Sequence, residues 1–156
     1  FTVTIPCRKA SKEDSLVKKN SDLHNKNCLN GVRILLVEDN EINTEIAREL
    51  LTEEGCIVET ADDGVACIDM IEKAEADYYK MILMDIQMPN MDGYKATQTI
   101  RRLADEKKAS IPIIAMTANA FEEDARKCVE AGMNAHLSKP LQMDVVVGTI
   151  AEYYKR

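Results

Sequence analysis

The sequence predicts an α/β domain: a doubly wound, five-stranded parallel sheet with five helices spread over its two faces. Three observations carry this reading. From residue 32 onward, short apolar runs recur that suit strands buried on both faces. Amphipathic stretches with helical spacing alternate with those runs. The intervals between them are short, so each strand is followed by a crossover onto the same sheet, and such crossovers are right-handed.

The elements follow in order. Val32 to Val37 (VRILLV) is apolar apart from Arg33, as a buried strand requires. Over 41–54, Ile42, Ile46 and Leu50 recur at four-residue spacing with Ala47 and Leu51 beside them, and Gly55 stops the helix. Ile57 to Ala61 is a second short strand, and 64–75 a second helix carrying Val65, Ile68 and Ile71. Met81 to Met84 (MILM) is a third strand ending at Asp85, followed by a Pro/Asn/Gly loop and a helix from Tyr94 to Ala104. Ile111 to Met116 (IPIIAM) is the fourth strand, with Pro112 at its start, where a missing donor is tolerated. A helix over 122–131 closes at Gly132, Ala135 to Leu137 forms a short fifth strand, and 142–154 is the last helix.

Composition narrows the class. A chain of 156 residues, 46% hydrophobic and 30% charged, suits one domain with a tail and excludes wholesale disorder. No apolar run approaches the ~18 residues of a membrane span, and there is no signal peptide; the opening Phe1, where Met would stand, predicts a piece of a longer protein. The net charge is −7, but residues 1–30 carry six basic and three acidic groups, so the remainder sums to −10. A body that acidic repels phosphate backbones, so nucleic acid is not an expected partner; divalent cations and basic protein surfaces are. The five cysteines (Cys7, Cys28, Cys56, Cys67, Cys128) contain no CxxC pair, which predicts neither zinc nor a disulfide framework and points to a reducing cytoplasm. Cys56, Cys67 and Cys128 sit among apolar neighbours and read as small core residues.

Ligands of such sheets bind beyond the carboxyl ends of the strands. Here those ends carry Glu38–Asp39, Asp85, Thr117 and Lys139, the last followed by Pro140. A parallel sheet gathers them at one edge, where three carboxylates meet one ammonium. Packed anions are costly without a cation among them, and an all-oxygen donor set suits Mg²⁺. A carboxylate can attack phosphorus to give an aspartyl-phosphate, and phosphoryl transfer asks mainly for positioning and charge stabilisation. Asp85 ends the central strand and is the expected nucleophile; Thr117 and Lys139 would each meet a phosphoryl oxygen. Each residue alone has a plainer explanation: Asp39 or Asn40 as a helix cap, Thr117 as a β-branched strand residue, Lys139 as a solvated charge, Asp92–Gly93 as a turn. Only the joint placement favours chemistry.

ILLVEDNEIN (34–43), LMDIQMPNMDGYKAT (83–97), IPIIAMTANA (111–120) and LSKPL (137–141) resemble the receiver domain of two-component response regulators, most of all the receivers of hybrid sensor histidine kinases. The resemblance covers 32–156 and implies a flavodoxin-like (CheY-like) fold with strand order 2-1-3-4-5. It implies that Asp85 is the phosphoacceptor, that Glu38, Asp39, Asp85 and the backbone carbonyl of Gln87 hold Mg²⁺, and that Thr117 and Lys139 sense the phosphate. It also marks Pro140 as a cis-peptide candidate. One position departs from the pattern: His136 stands where receivers commonly carry a Tyr or Phe switch beside Thr117, and its plainer, favoured reading is a half-exposed strand residue; as the partner of Thr117 in a switch pair it would replace the usual aromatic with a smaller, titratable ring.

The same resemblance divides the chain into 1–6 (FTVTIP), like the closing strand of a kinase ATP-binding domain, a linker over 7–30 and a receiver over 31–156. It implies a phosphoryl group taken from a phosphohistidine and passed to a histidine phosphotransfer protein. The kinase domain would belong to the same, membrane-anchored parent, and this part would lie in the cytoplasm without membrane contact. Neither His24 nor His136 lies in a phosphoacceptor-histidine motif, so this stretch is not itself the kinase and catalyses only its own phosphorylation and dephosphorylation. A DNA-binding module after Pro140 is not expected, so output would pass through protein contacts, between the first helix and the loops of the site. A weak homodimer is left open. The competing function is a docking module of the same shape that is no longer phosphorylated. A phosphatase of the dehalogenase type would want a second Asp where Gln87 stands, and a flavodoxin a hydroxyl-rich loop where Glu38–Asp39 stands.

Overall fold

The computed structural model describes residues 29–118 and 122–154. In chain order the elements are β1 (Arg33–Val37), α1 (Glu41–Glu53), β2 (Ile57–Ala61), α2 (Gly64–Lys73), β3 (Met81–Asp85), α3 (Gly93–Arg101), α4 (Glu106–Ala109), β4 (Ile113–Thr117), α5 (Glu122–Ala131), β5 (Ala135–Ser138) and α6 (Met143–Tyr154). The strands pair in parallel in the order β2-β1-β3-β4-β5. Among the described residues, no helix is long and apolar enough to cross a membrane.

The sheet separates two apolar layers because successive side chains of a strand point to opposite faces. Leu35, Val37, Ile82, Met84, Ile113 and Ala115 meet Cys67 and Ile71 of α2, Ala96 and Ile100 of α3 and Cys128 of α5. Ile34, Leu36, Met81, Leu83, Ile114 and Met116 meet Ala47 and Leu51 of α1 and Val146, Val147 and Ile150 of α6. Both faces are covered, so β3 and β4 read as unbroken apolar runs, and every residue of either strand is buried. Fully burying one Leu or Ile stabilises by ~1.5–3 kcal/mol, and β3 and β4 contribute Met81–Met84 and Ile113–Met116 to the buried apolar core. Cys56, Cys67 and Cys128 are buried thiols; burial, with the Asp63 charge nearby, pushes Cys67 up to about 12.

The fourth strand, expected over 111–116, runs Ile113–Thr117, and two further details differ from the expected boundaries. The helix expected over Tyr94–Ala104 ends at Arg101, and a single-turn helix, α4, follows at Glu106–Ala109, giving six helices in place of five. Asp105 restarts the backbone ladder by accepting from Lys107 N and Lys108 N. Leu29, expected in the linker, is 1% exposed within the α1/α6 layer, and Gly31 N donates to Gly55 O at 2.9 Å. The folded body therefore includes Leu29. The expected strand at 1–6 and the linker over 7–28 lie outside the described residues.

Arg101, which the sequence pattern does not mark, ties the far end of the sheet together. Its guanidinium donates to Gly132 O at 2.9 Å, to Ala109 O and Ile111 O at 2.7 Å each, and to Asn134 Oδ1 at 2.8 Å. Burial lowers the Arg101 pKa.

Candidate active site

Four helices start on an Asx cap, and the first of these bears directly on the site. Asn40 accepts from Ile42 N (3.0 Å) and Asn43 N (3.1 Å), so it is the cap of α1 and Asp39 is left outside that role. Asp39 is exposed at the mouth of the site, whereas Glu38 beside it is 3% exposed. At the end of β3, Asp85 is 6% exposed, and Thr117 at the end of β4 is 7% exposed. The start of α3 presses against the end of β3: Gly93 N donates to Ile86 O at 2.9 Å, and a Cβ on Gly93 would collide with the Asp85 carbonyl. Steric space, more than turn propensity, therefore requires the glycine in Asp92–Gly93.

The strand ends converge on an open cleft of about 690 Å³ whose lining includes Glu38, Asp39, Asp85, Gln87, Thr117 and Lys139. One carboxylate oxygen from each of Glu38, Asp39 and Asp85 lies within 4.8 Å of the others. Lys139 reaches in from the end of β5, with Nζ 2.6 Å from Glu38 Oε2 and 3.3 Å from Asp85 Oδ1. The Lys139–Pro140 peptide bond is cis, and Lys139 N donates to Thr117 O at 2.8 Å. His136, by contrast, is exposed on β5, its Cα paired with that of Ala115, and does not line the cleft.

The charges in this cleft are unevenly shared. Burial raises Asp85, the Glu38 charge adds to it, and the more distant Lys139 does not offset them; its carboxyl is pushed up to about 6. Burial also acts on Glu38, but the hydrogen bond and charge of Lys139, with Asn40 N–H, outweigh it and hold Glu38 below the usual carboxylate range. Lys139 loses hydration to burial, yet the two carboxylates hold its ammonium above its ordinary value. Glu38 and Lys139 thus form the settled ion pair, and Asp85 is the strained carboxylate.

Three carboxylates against one ammonium favour a further cation. Oxygens that share a six-coordinate Mg²⁺ lie roughly 3–4 Å apart, a spacing compatible with three carboxylate oxygens that all lie within 4.8 Å of one another. The donors fit: hard oxygens, one exposed member, and an open side for water.

An acidic pocket at the carboxyl edge of a 2-1-3-4-5 parallel sheet is the architecture of a CheY-like receiver. The description "response regulator receiver domain" matches residues 34–151, and the chain belongs to that family. Sensor histidine kinase RcsC of Escherichia coli K12 is 36% identical over 151 residues, which is 97% of this chain but 14% of that protein, so the chain spans about a seventh of this relative's length. The receiver domain of sensor histidine kinase PA1611 from Pseudomonas aeruginosa, a crystal structure with magnesium coordinated in its active site cleft, superposes with TM-score 0.72 at 37% identity, covering 81% of this chain and 99% of that one. A co-crystal of the Saccharomyces cerevisiae phosphotransfer protein Ypd1 with the receiver domain of its downstream regulator Ssk1 matches at TM-score 0.71 and 26% identity, over 81% of this chain and 91% of that one.

Proposed function

We propose that this chain is a phosphorelay receiver that takes a phosphoryl group from a phosphohistidine onto Asp85 and passes it to a histidine phosphotransfer protein. One observation carries the reading: Glu38, Asp39 and Asp85, from two separate strand ends, bring their oxygens within 4.8 Å, with Lys139 beside them from a third. An Asp85 carboxylate oxygen attacks phosphorus, the O–P bond forms as the P–N bond breaks, and the electron pair returns to the imidazole nitrogen, which takes a proton from water. Glu38, Asp39, Asp85 and the Gln87 carbonyl would hold Mg²⁺, which would supply positive charge for the equatorial phosphoryl oxygens. Lys139 leaves its contact with Asp85 to meet one phosphoryl oxygen and Thr117 donates to another. The magnesium-bearing PA1611 receiver supports the choice of metal.

The receiver unit, expected over 31–156, extends back to Leu29 in the core; 1–6 and 7–28 are a kinase remnant and linker, and the parent is a membrane-anchored hybrid kinase acting at its cytoplasmic side. The phosphotransfer partner docks on α1, where Ile42 and Ile46 are 70% and 54% exposed beside a groove lined by Leu50, Pro140 and Leu141. The Ypd1 co-crystal supports a partner of that class. His136 and Thr117 would form the switch pair, with His136 exposed on β5 and outside the lining of the cleft. The test is intact mass after incubation with Mg²⁺ and acetyl phosphate. A phosphoryl adduct on the native chain and none on Asp85→Asn is expected; no adduct leaves only the docking-module reading, and an adduct that survives the substitution removes Asp85 from its role.

A further inference from the structure

The loop 86–92 leads away from Asp85 and carries Gln87, yet its lateral support comes from an element with no part in the chemistry. Asn90 is one of two described non-glycine residues with positive φ, at 64°. In that conformation its side chain crosses to the start of α2, where Nδ2 donates to Asp63 Oδ2 at 2.8 Å. Asp63 is already the cap of α2, its other oxygen accepting from Ala66 N at 2.8 Å. One carboxylate therefore holds a helix start and the loop tip together. The next residue meets the same loop by steric contact: a Cβ on Gly64 would stand 2.9 Å from Met91 Cγ and 2.9 Å from the Met91 carbonyl oxygen. Gly64 needs no unusual backbone, so the glycine serves close approach. Within the loop Met91 N donates to Pro89 O at 2.7 Å, and at its root Ile86 N donates to Met116 O of β4 at 3.4 Å.

We infer that Asp63, Gly64 and Asn90 are positioning residues: the first turn of α2 is the abutment that sets the 86–92 loop, and with it the Gln87 carbonyl, for the cation at Asp85. This rests on the proposed Mg²⁺-dependent role of Asp85. None of the three touches the acceptor; they act through the loop. Outer partners of a metal ligand commonly matter about as much as weaker ligands do.

The experiment is calorimetric titration of Mg²⁺ alone into the full chain, compared across four variants. Asn90→Gly keeps the positive φ without strain but removes the amide. Asp63→Ser keeps a cap but cannot reach Asn90. Each is expected to weaken Mg²⁺ binding about tenfold, and the double variant to be no worse than either alone, because one contact is lost once. Asp63→Asn is expected to bind like the native chain, since a rotated Asn90 amide rebuilds the bond. The thermal midpoint in chelator should stay near native for Asn90→Gly, which separates positioning from folding. Native-like affinity in Asn90→Gly, additive losses in the double variant, or an equal loss in Asp63→Asn would each overturn the inference while leaving the proposed function standing. If the native chain takes up no Mg²⁺, the proposed function and this inference fail together. Should Asp63→Ser not fold, the exposed Asn90→Gly decides.

Discussion

Replacing Asp85 with Asn should make the metal-free domain more stable. Asp85 is 6% exposed, lies beside the Glu38 carboxylate, and titrates at about 6 in the fold. An ordinary aspartate titrates at ~3.9, and each tenfold change in proton affinity is worth ~1.4 kcal/mol, so keeping Asp85 ionised at neutral pH costs the fold about 2–3 kcal/mol. The sign follows from linkage. A carboxyl raised in the folded state binds its proton more tightly there, so its contribution is most favourable below pH ~3.9 and is lost as pH rises through about 6. Asn keeps the shape of the protonated acid without that penalty. For a domain of this size, 2–3 kcal/mol corresponds to a rise in thermal midpoint of roughly 5–10 °C at pH 7.5 in chelator, measured by calorimetry. The gap should narrow at pH 5, and millimolar Mg²⁺ should raise the native chain and not the variant. A variant no more stable than the native chain in chelator, or a gap indifferent to pH between 5 and 7.5, would refute the reasoning, because either result means Asp85 is not held ionised against its surroundings.

Three further outcomes follow from contacts away from Asp85. Glu59 accepts from Tyr79 and Tyr78 hydroxyls and from Arg33, which hold its carboxyl below the usual range; its contribution is present above pH ~4.3 and lost as pH falls below that value, so Glu59→Gln should flatten the loss of urea midpoint between pH 6 and 3. Arg101→Ala leaves three backbone carbonyls and Asn134 without their charged donor, and should cost about 2–4 kcal/mol in urea unfolding, with Arg101→Lys recovering less than half because it lacks the planar fork. Ile42→Asp, on the exposed face of α1, should slow transfer to a phosphotransfer protein about tenfold more than it slows labelling by acetyl phosphate; equal effects on the two rates would remove α1 from the docking surface.

How much of this was legible beforehand depended on whether a feature is written in one stretch of chain or in several. The alternation of apolar runs with amphipathic stretches contains the layer order, because burial on both faces leaves no polar residue in β3 before Asp85 or in β4 before Thr117. The strand ends were legible for the same reason: a polar residue that closes an apolar run stands at an edge of the sheet. Which Asx capped α1 was not, since Asp39 and Asn40 have equal capping propensity and only the backbone of Asn40 decides it. The restart of a helix at Glu106 was likewise hidden, because Asp105 reads as loop until Lys107 and Lys108 N–H groups turn toward it.

Periodicity and residue order by themselves determined the class of fold and which polar residues close the strands, since those follow from local patterns of burial, while the motifs at 34–43, 83–97, 111–120 and 137–141 carried the resemblance to a family. Tertiary structure alone decided the division of labour in the cleft. Glu38 and Lys139 are 101 residues apart, and only the assembled sheet brings them to 2.6 Å, which settles that pair and leaves Asp85 as the carboxylate raised by its surroundings. The Arg101 clamp and the Asp63–Asn90 tie, 27 residues apart in sequence, belong to the same category. Each joins polar groups whose partners no spacing rule predicts, because a hydrogen bond between distant segments depends on where the packed core leaves its loops.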